Sequence, residues 1–277
     1  MPDSNSQHKK ERSERIRNFF ENPDGIAYKI LHRFYPFFQN PKNIAVGLLV
    51  IAAPAIYGLF PKPVDEQIRN GERDVTVWSP WATELLRDLI GVGKDNWFSI
   101  FATWYYTWLF VCINIGSGIY ILMLNKKRRE PWIYLLCFTT LFIIDTMFYY
   151  IFPVAPPVRT EGFYNVRADI LPSSETMISI DYNALPSAHI WILAIPFCIT
   201  IAERHWKLTA WYGFHMILMT IVVVYLGDHY FIDCIVAVVL AVIVFVTLVK
   251  IYDWRNGYHT VGIPSPLGVE QRTISNK

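Results

Sequence analysis

Two histidines, a carboxylate and an arginine are the residues of this 277-residue chain best suited to covalent chemistry. Arg159 follows Pro156-Pro157, His189 closes the run Pro186-Ser187-Ala188-His189, and His229 opens the run His229-Tyr230-Phe231-Ile232-Asp233. One imidazole can accept a phosphoryl group, a second can move the proton, and a guanidinium can neutralise the phosphate oxygens. Brought to one point, they are the parts of phosphoryl transfer through a phosphohistidine. His229 and Asp233 are four apart, which stacks them on one helix face. There Asp233 would accept from one ring nitrogen, fix the tautomer and leave the other nitrogen to attack. Pro186-Ser187 makes Ser187 the expected N-cap of a helix through His189, whose first-turn N–H groups and dipole favour an anion.

The same residues have plainer readings. A single histidine at a helix end is commonly just an interfacial polar group, and an HxxxD pair arises by chance. His189, His229 and Asp233 could also bind zinc. Haem between helices would need a histidine near mid-bilayer, where only His215 sits. Neither metal nor cofactor is expected. Asp145, about two turns inside its helix, is costly in lipid and must face the protein interior, where tying helices together would suffice to explain it. Cys112, Cys137, Cys198 and Cys234 lie in apolar stretches without metal-ligand spacing, which predicts free packed thiols.

Hydrophobic residues make up 53% of the chain and the mean hydropathy is +0.27, too apolar for an ordinary soluble protein. A membrane span needs about 20 mostly apolar residues. Six stretches qualify as candidates: 44–60, 97–124, 132–152, 188–202, 208–226 and 230–251, the first and fourth being short. The fold class expected is therefore all-α, a six-transmembrane-helix bundle in a single domain, with a short extracytoplasmic interfacial helix. The expected organisation is a basic amphipathic segment over 1–42, a membrane domain over 43–252 and a flexible tail over 253–277. The first 20 residues are polar, so no cleavable signal peptide is expected.

Lys and Arg crowd the N-terminal segment and the run Lys126-Lys127-Arg128-Arg129, with Arg204 and Lys207 in the next turn on that side. Lysine and arginine bias in short loops sets orientation, so both termini are expected in the cytoplasm. Helix parity then carries Arg159, His189 and His229 to the extracytoplasmic or lumenal face. The bilayer is the expected partner, and no nucleic acid is. Ser79 reads as an N-cap with Pro80 at the first helical position. Trp78, Trp81, Leu85 and Leu89 recur at helical spacing, which suits an interfacial helix, a lid over the site or plain packing. The long loop 153–187 is rich in Pro, Ser and charge, and such loops are commonly functional or disordered.

The runs Phe152-Pro-Val-Ala-Pro-Pro-Val-Arg159, Asn183-Ala-Leu-Pro-Ser-Ala-His189 and Gly227-Asp-His-Tyr-Phe-Ile-Asp233 together resemble the type 2 phosphatidic acid phosphatase (PAP2), or lipid phosphate phosphatase, superfamily. The closest resemblance is to the branch that includes inositol phosphorylceramide synthases. It covers roughly residues 130–250. The resemblance implies His229 as nucleophile, Asp233 as its orienting partner and His189 as the acid that protonates the leaving alkoxide and then activates the acceptor. It also implies Ser187 and nearby backbone as phosphate ligands, with Arg159 neutralising charge. The substrate implied is a lipid phosphate or diphosphate, and the acceptor is water or a hydroxyl. Two features depart from the pattern: the usual KxxxxxxRP motif is absent, and Val222 and Val223 stand where Ser-Arg is usual. Arg167 is the nearest substitute for the missing arginine. Asp228, beside the proposed nucleophile, either repels a phosphate or orients an acceptor.

Overall fold

The computed structural model describes residues 63–109, 112–113, 129–172 and 182–255. The predicted span 44–60, the basic segment 1–42, the turn residues 126–128 and the tail beyond 255 lie outside them. So does most of the second half of the predicted span 97–124. Described in order are α1 (Pro63–Arg69), α2 (Trp81–Ile90) and α3 (Trp97–Trp104), which runs into a π-helical turn, Tyr105–Leu109. Then come α4 (Arg129–Ile151), a 3₁₀ turn at Pro157–Arg159 and α5 (Val166–Ile170). The chain continues through α6 (Ala188–Ala202), α7 (Trp206–Leu226) and α8 (Phe231–Arg255). Among the described residues there is no strand, and the all-α reading stands at that level.

Among the described residues three helices are long and apolar enough to cross a bilayer: Trp132–Ile151 within α4, Trp206–Leu226 and Phe231–Asp253 within α8. Of the six spans expected, these are the ones the described residues supply. α6 has 15 residues and rises about 22 Å, short of the roughly 30 Å of hydrocarbon. Its sequence is apolar on every side because it is the buried centre of the bundle, packed against α4, α7 and α8. α8 shows how lipid and core faces divide on one helix. Asp233, Cys234, Ala237, Ala241 and Val244 are buried, whereas Ile232, Ile235, Val239, Val242, Ile243 and Val246 are exposed. The small Ala237 and Ala241, four apart, let α8 approach its neighbours closely. An exposed face this apolar suits lipid and not water.

Two local details differ from the sequence reading. α2 starts at Trp81 with Pro80, not Ser79, at the cap, and no side chain caps it. The reason lies in Trp78, whose backbone N–H donates to the Tyr230 hydroxyl and whose ring packs on Tyr230, holding 78–79 out of the helix. Trp78 therefore leaves the helical stripe, but Trp81, Leu85 and Leu89 remain exposed on α2 while its other side packs on α7. The second detail is at α3. Asn96 caps it by accepting from the Phe98 and Ser99 N–H groups. The wider π turn then buries Tyr105, Tyr106 and Thr107 in succession, which a regular helix would not do.

The end of α7 fixes the residues that follow it. Gly227 ends the helix at φ 83°, a left-handed conformation that favours glycine. A Cβ there would lie 3.0 Å from Phe163 Cε1, so both the backbone and the space demand glycine. Arg87 of α2 donates to the last carbonyls of α7, Tyr225 at 2.9 Å and Leu226 at 3.0 Å, and to Tyr164 at 2.9 Å. It thereby satisfies carbonyls that α7 leaves open.

Candidate active site

Backbone hydrogen bonds stitch the three sequence runs together. The Val154 N–H donates to Tyr182 O at 3.0 Å and Ala184 N–H to Val154 O at 3.1 Å, joining the first run to the second. The Val158 N–H donates to Gly227 O at 2.9 Å, joining the first to the third. The Ser187 N–H donates to Asp233 O at 3.3 Å, joining the second to the third. Segments as far apart in sequence as Val158 and Gly227 are thus fixed at one end of the bundle before any side chain is considered.

His229 precedes α8 rather than lying on its face, since the helix begins at Phe231. Its Nδ1–H donates to the Ala184 carbonyl at 2.7 Å, which leaves the Nε2 lone pair facing His189 Nδ1 at 3.2 Å. The two rings meet edge to face with centroids 5.4 Å apart. Asp233 lies close, but not as the spacing suggested. Its Oδ2 accepts the Tyr230 N–H at 2.7 Å and stands 3.7 Å from His229 Nδ1. That is too long for a hydrogen bond. The Ala184 carbonyl fixes the tautomer, and Asp233 acts on the ring by charge. Burial pulls the His229 pKa down, the Asp233 carboxylate more than offsets this, and the net position is above the ordinary imidazole value.

The sign of this shift gives a test. If His229 Nε2 is a nucleophile it can attack only when the ring is neutral, so activity would fall as pH falls through its raised pKa. The acid limb of kcat/KM is expected above about pH 6.5. Asp233→Asn removes the favourable charge and should move that limb to lower pH. A limb unmoved in Asp233→Asn would show that the carboxylate does not act on the nucleophile.

Ser187 is the N-cap of α6 by position, its carbonyl accepting from the Ile190 and Trp191 N–H groups, both at 3.1 Å. Its side chain makes no cap bond, contrary to expectation. The hydroxyl is fully buried beside the Cys234 thiol and has no nitrogen or oxygen partner among the described residues. Arg159 ends the 3₁₀ turn, half-buried, one residue beyond the Val158–Gly227 bond. Arg167, on α5, is buried and pairs through Nη2 with Asp228 Oδ1 at 2.9 Å.

Tyr106 is a site residue that sequence reasoning missed. Its ring stacks on His189 with centroids 4.5 Å apart, and the Arg167 guanidinium lies over it at 4.7 Å. In the run Trp104-Tyr105-Tyr106-Thr107-Trp108 nothing distinguishes it from aromatics that sit at a membrane interface. Val222 and Val223, at the positions of the usual Ser-Arg, are fully buried in the core. They are packing residues, and no arginine stands at those positions. Asp145 is buried and accepts from Asn183 Nδ2 at 3.4 Å, tying α4 to the segment that carries Ala184.

His215 is buried, and its Nδ1 shares a 2.6 Å hydrogen bond with the Tyr105 hydroxyl. Among the described residues no three His, Cys, Asp or Glu side chains form a metal-binding group. Cys137, Cys198 and Cys234 are buried free thiols, and Cys112 is an exposed one.

A family model described as the PAP2 superfamily matches residues 82–247, from α2 into α8. The chain belongs to the PAP2 superfamily. No curated protein and no solved structure matches it. The PAP2 match takes in α2 and α3, upstream of the three runs, so the family's core includes the helix that caps α7 and the π turn that carries Tyr106. PAP2 proteins are in general phosphatases and phosphotransferases, and membership places this chain among enzymes of that coarse kind. Its apolar helices associate it with a membrane.

Proposed function

We propose that the protein is a membrane phosphatase that cleaves a lipid phosphate or diphosphate without a metal ion, through a phosphohistidine on His229. The observation that carries this reading is the 3.2 Å approach of His189 Nδ1 to a His229 Nε2 whose opposite nitrogen is committed to the Ala184 carbonyl. In the first step the Nε2 lone pair bonds to phosphorus and the ester P–O bond breaks. His189 gives its proton to the departing alkoxide. In the second, His189 takes a proton from water, the water oxygen bonds to phosphorus and the P–N bond breaks. Arg159 and Arg167 offset charge on the phosphoryl oxygens, and Ser187 donates to one of them.

The Lys/Arg bias supports a site at the extracytoplasmic or lumenal face, with both termini in the cytoplasm. The alternative acceptor is a polyol or lipid hydroxyl, which would make the protein a phosphotransferase like inositol phosphorylceramide synthases. The covalent step is common to both. Such an acceptor would need hydrogen-bonding groups from the loop 153–187, and two of these are engaged already: Arg167 with Asp228, and Asp169 with the Tyr164 hydroxyl at 2.7 Å. Ser173, Ser174, Glu175 and Asp181 lie outside the described residues. A non-catalytic transporter or scramblase on the same architecture is the remaining alternative.

Purified protein in detergent should release phosphate from a generic lipid phosphate with EDTA present, and orthovanadate should inhibit by mimicking the transferring phosphoryl group. Loss of activity on chelation, restored by zinc or magnesium, would replace this mechanism with a metal-dependent one. A phosphorylated polyol formed in place of free phosphate would select the transferase. Absence of any turnover across a panel of lipid phosphates would select the non-catalytic reading.

A further inference from the structure

The most unusual feature of the site is an acid in contact with an arginine proposed to hold phosphate. Asp228 immediately precedes His229, and its Oδ1 pairs with Arg167 Nη2 at 2.9 Å, with side-chain exposures of 11% and 6%. Its other oxygen, Oδ2, is buried and has no hydrogen-bond partner among the described residues. The carboxylate is therefore held from one side only. Arg167 is held in place independently: α5 is capped by Asn165, which accepts from the Ala168 N–H at 3.2 Å, and the guanidinium lies on the Tyr106 ring. That ring reaches from Arg167 to His189, so the guanidinium sits beside the histidine pair.

We propose that Asp228 is an internal anion that occupies Arg167 in the resting site and competes there with phosphate. This rests on the reading of the site as a phosphoryl-transfer centre. A substrate phosphate reaching His229 must take Asp228's place at Arg167. When the phosphohistidine is resolved, Asp228 returns to Arg167 and expels the product anion. An arginine available in only a fraction of molecules lowers the apparent affinity for any phosphate by that fraction. A second negative charge beside the bound anion lowers it further. Asp228 thus keeps free phosphate from occupying the site, and the lipid portion of the substrate must supply binding energy that the phosphate alone does not.

The test is the affinity of Asp228→Asn for inorganic phosphate, measured as thermal stabilisation in detergent and as inhibition of turnover. Asn keeps the shape and removes the charge, so phosphate should bind about tenfold more tightly or better. KM should fall while kcat does not rise, because product leaves more slowly. A merely structural loss would weaken binding, so the gain is diagnostic. Asp228→Ser should show the same gain if Asp228→Asn folds poorly, and Arg167→Gln placed in either background should abolish it. Unchanged or weaker phosphate affinity in both Asp228 variants overturns the proposal. Phosphate binding tightened in Asp228→Asn, but without turnover of any lipid phosphate in the wild type, would leave this inference standing and sink the phosphatase reading. Absence of phosphate or vanadate binding in wild type and variants alike would remove both.

Discussion

His229→Ala is expected to lower phosphate release by about 10⁴-fold or more, with expression, helix content and thermal stability in detergent close to wild type. Among the described residues no other nucleophile stands in its place. His189 presents Nδ1 to His229 rather than to an open site, and Ser187 is buried with no base beside it except through these rings. The fold should survive because the chain path there is held by backbone bonds. The His229 N–H donates to Val223 O at 3.3 Å and the Asp228 N–H donates to the same carbonyl at 3.0 Å. What is lost is two side-chain hydrogen bonds, to Ala184 O and to His189 Nδ1, at a segment that Val154 already fixes on both sides. Circular dichroism and an activity assay on one preparation separate the two effects. Near-wild-type release in a folded His229→Ala would end the phosphohistidine mechanism.

His189→Ala is the second large effect, and its size should depend on the leaving group. A general acid contributes roughly 10²–10⁴ in rate. An alkoxide leaving without a proton is very poor, so an alkyl phosphate should suffer that full loss. A nitrophenolate leaves well unprotonated, so an aryl phosphate should lose far less in the first step. A burst of nitrophenol equal to the enzyme concentration, followed by slow turnover, would show the phosphoenzyme forming normally and waiting for a base to activate water. Equal losses on both substrates would mean that His189 binds or orients without transferring a proton, a role its stacking on Tyr106 would allow.

How far the sequence foretold this site differs by residue. α4, α7 and α8 were legible as long apolar runs because a bilayer demands that composition and helical hydrogen bonding at once. The juxtaposition of His189 with His229 was legible as helix parity, since short connections force adjacent ends to the same side. The partner of His229 Nδ1 was not. The spacing to Asp233 pointed to a carboxylate, yet the hydrogen bond goes to the Ala184 carbonyl, and a backbone oxygen carries no signature in the sequence. The N-cap of α2 shifted from Ser79 to Pro80 because tertiary packing of Trp78 on Tyr230 overrode a good local capping signal. Arg167 could be named as a substitute cation, but its ion pair with Asp228 joins positions 61 apart and depends on where five residues of α5 are docked. Tyr106 required the π turn to be seen, because only that widened turn buries two consecutive tyrosines.

The central claim is a covalent bond between phosphorus and His229 Nε2, and trapping the intermediate tests it most directly. Wild type and His189→Ala would be mixed with a radiolabelled aryl or lipid phosphate and quenched in alkali within the first turnovers. A phosphohistidine is a phosphoramidate, stable in base and lost in acid, unlike phosphoserine. Alkali-stable, acid-labile label is expected on the peptide bearing His229, accumulating in His189→Ala and absent from His229→Ala. Label that survives acid, or label on any other residue, would contradict the claim.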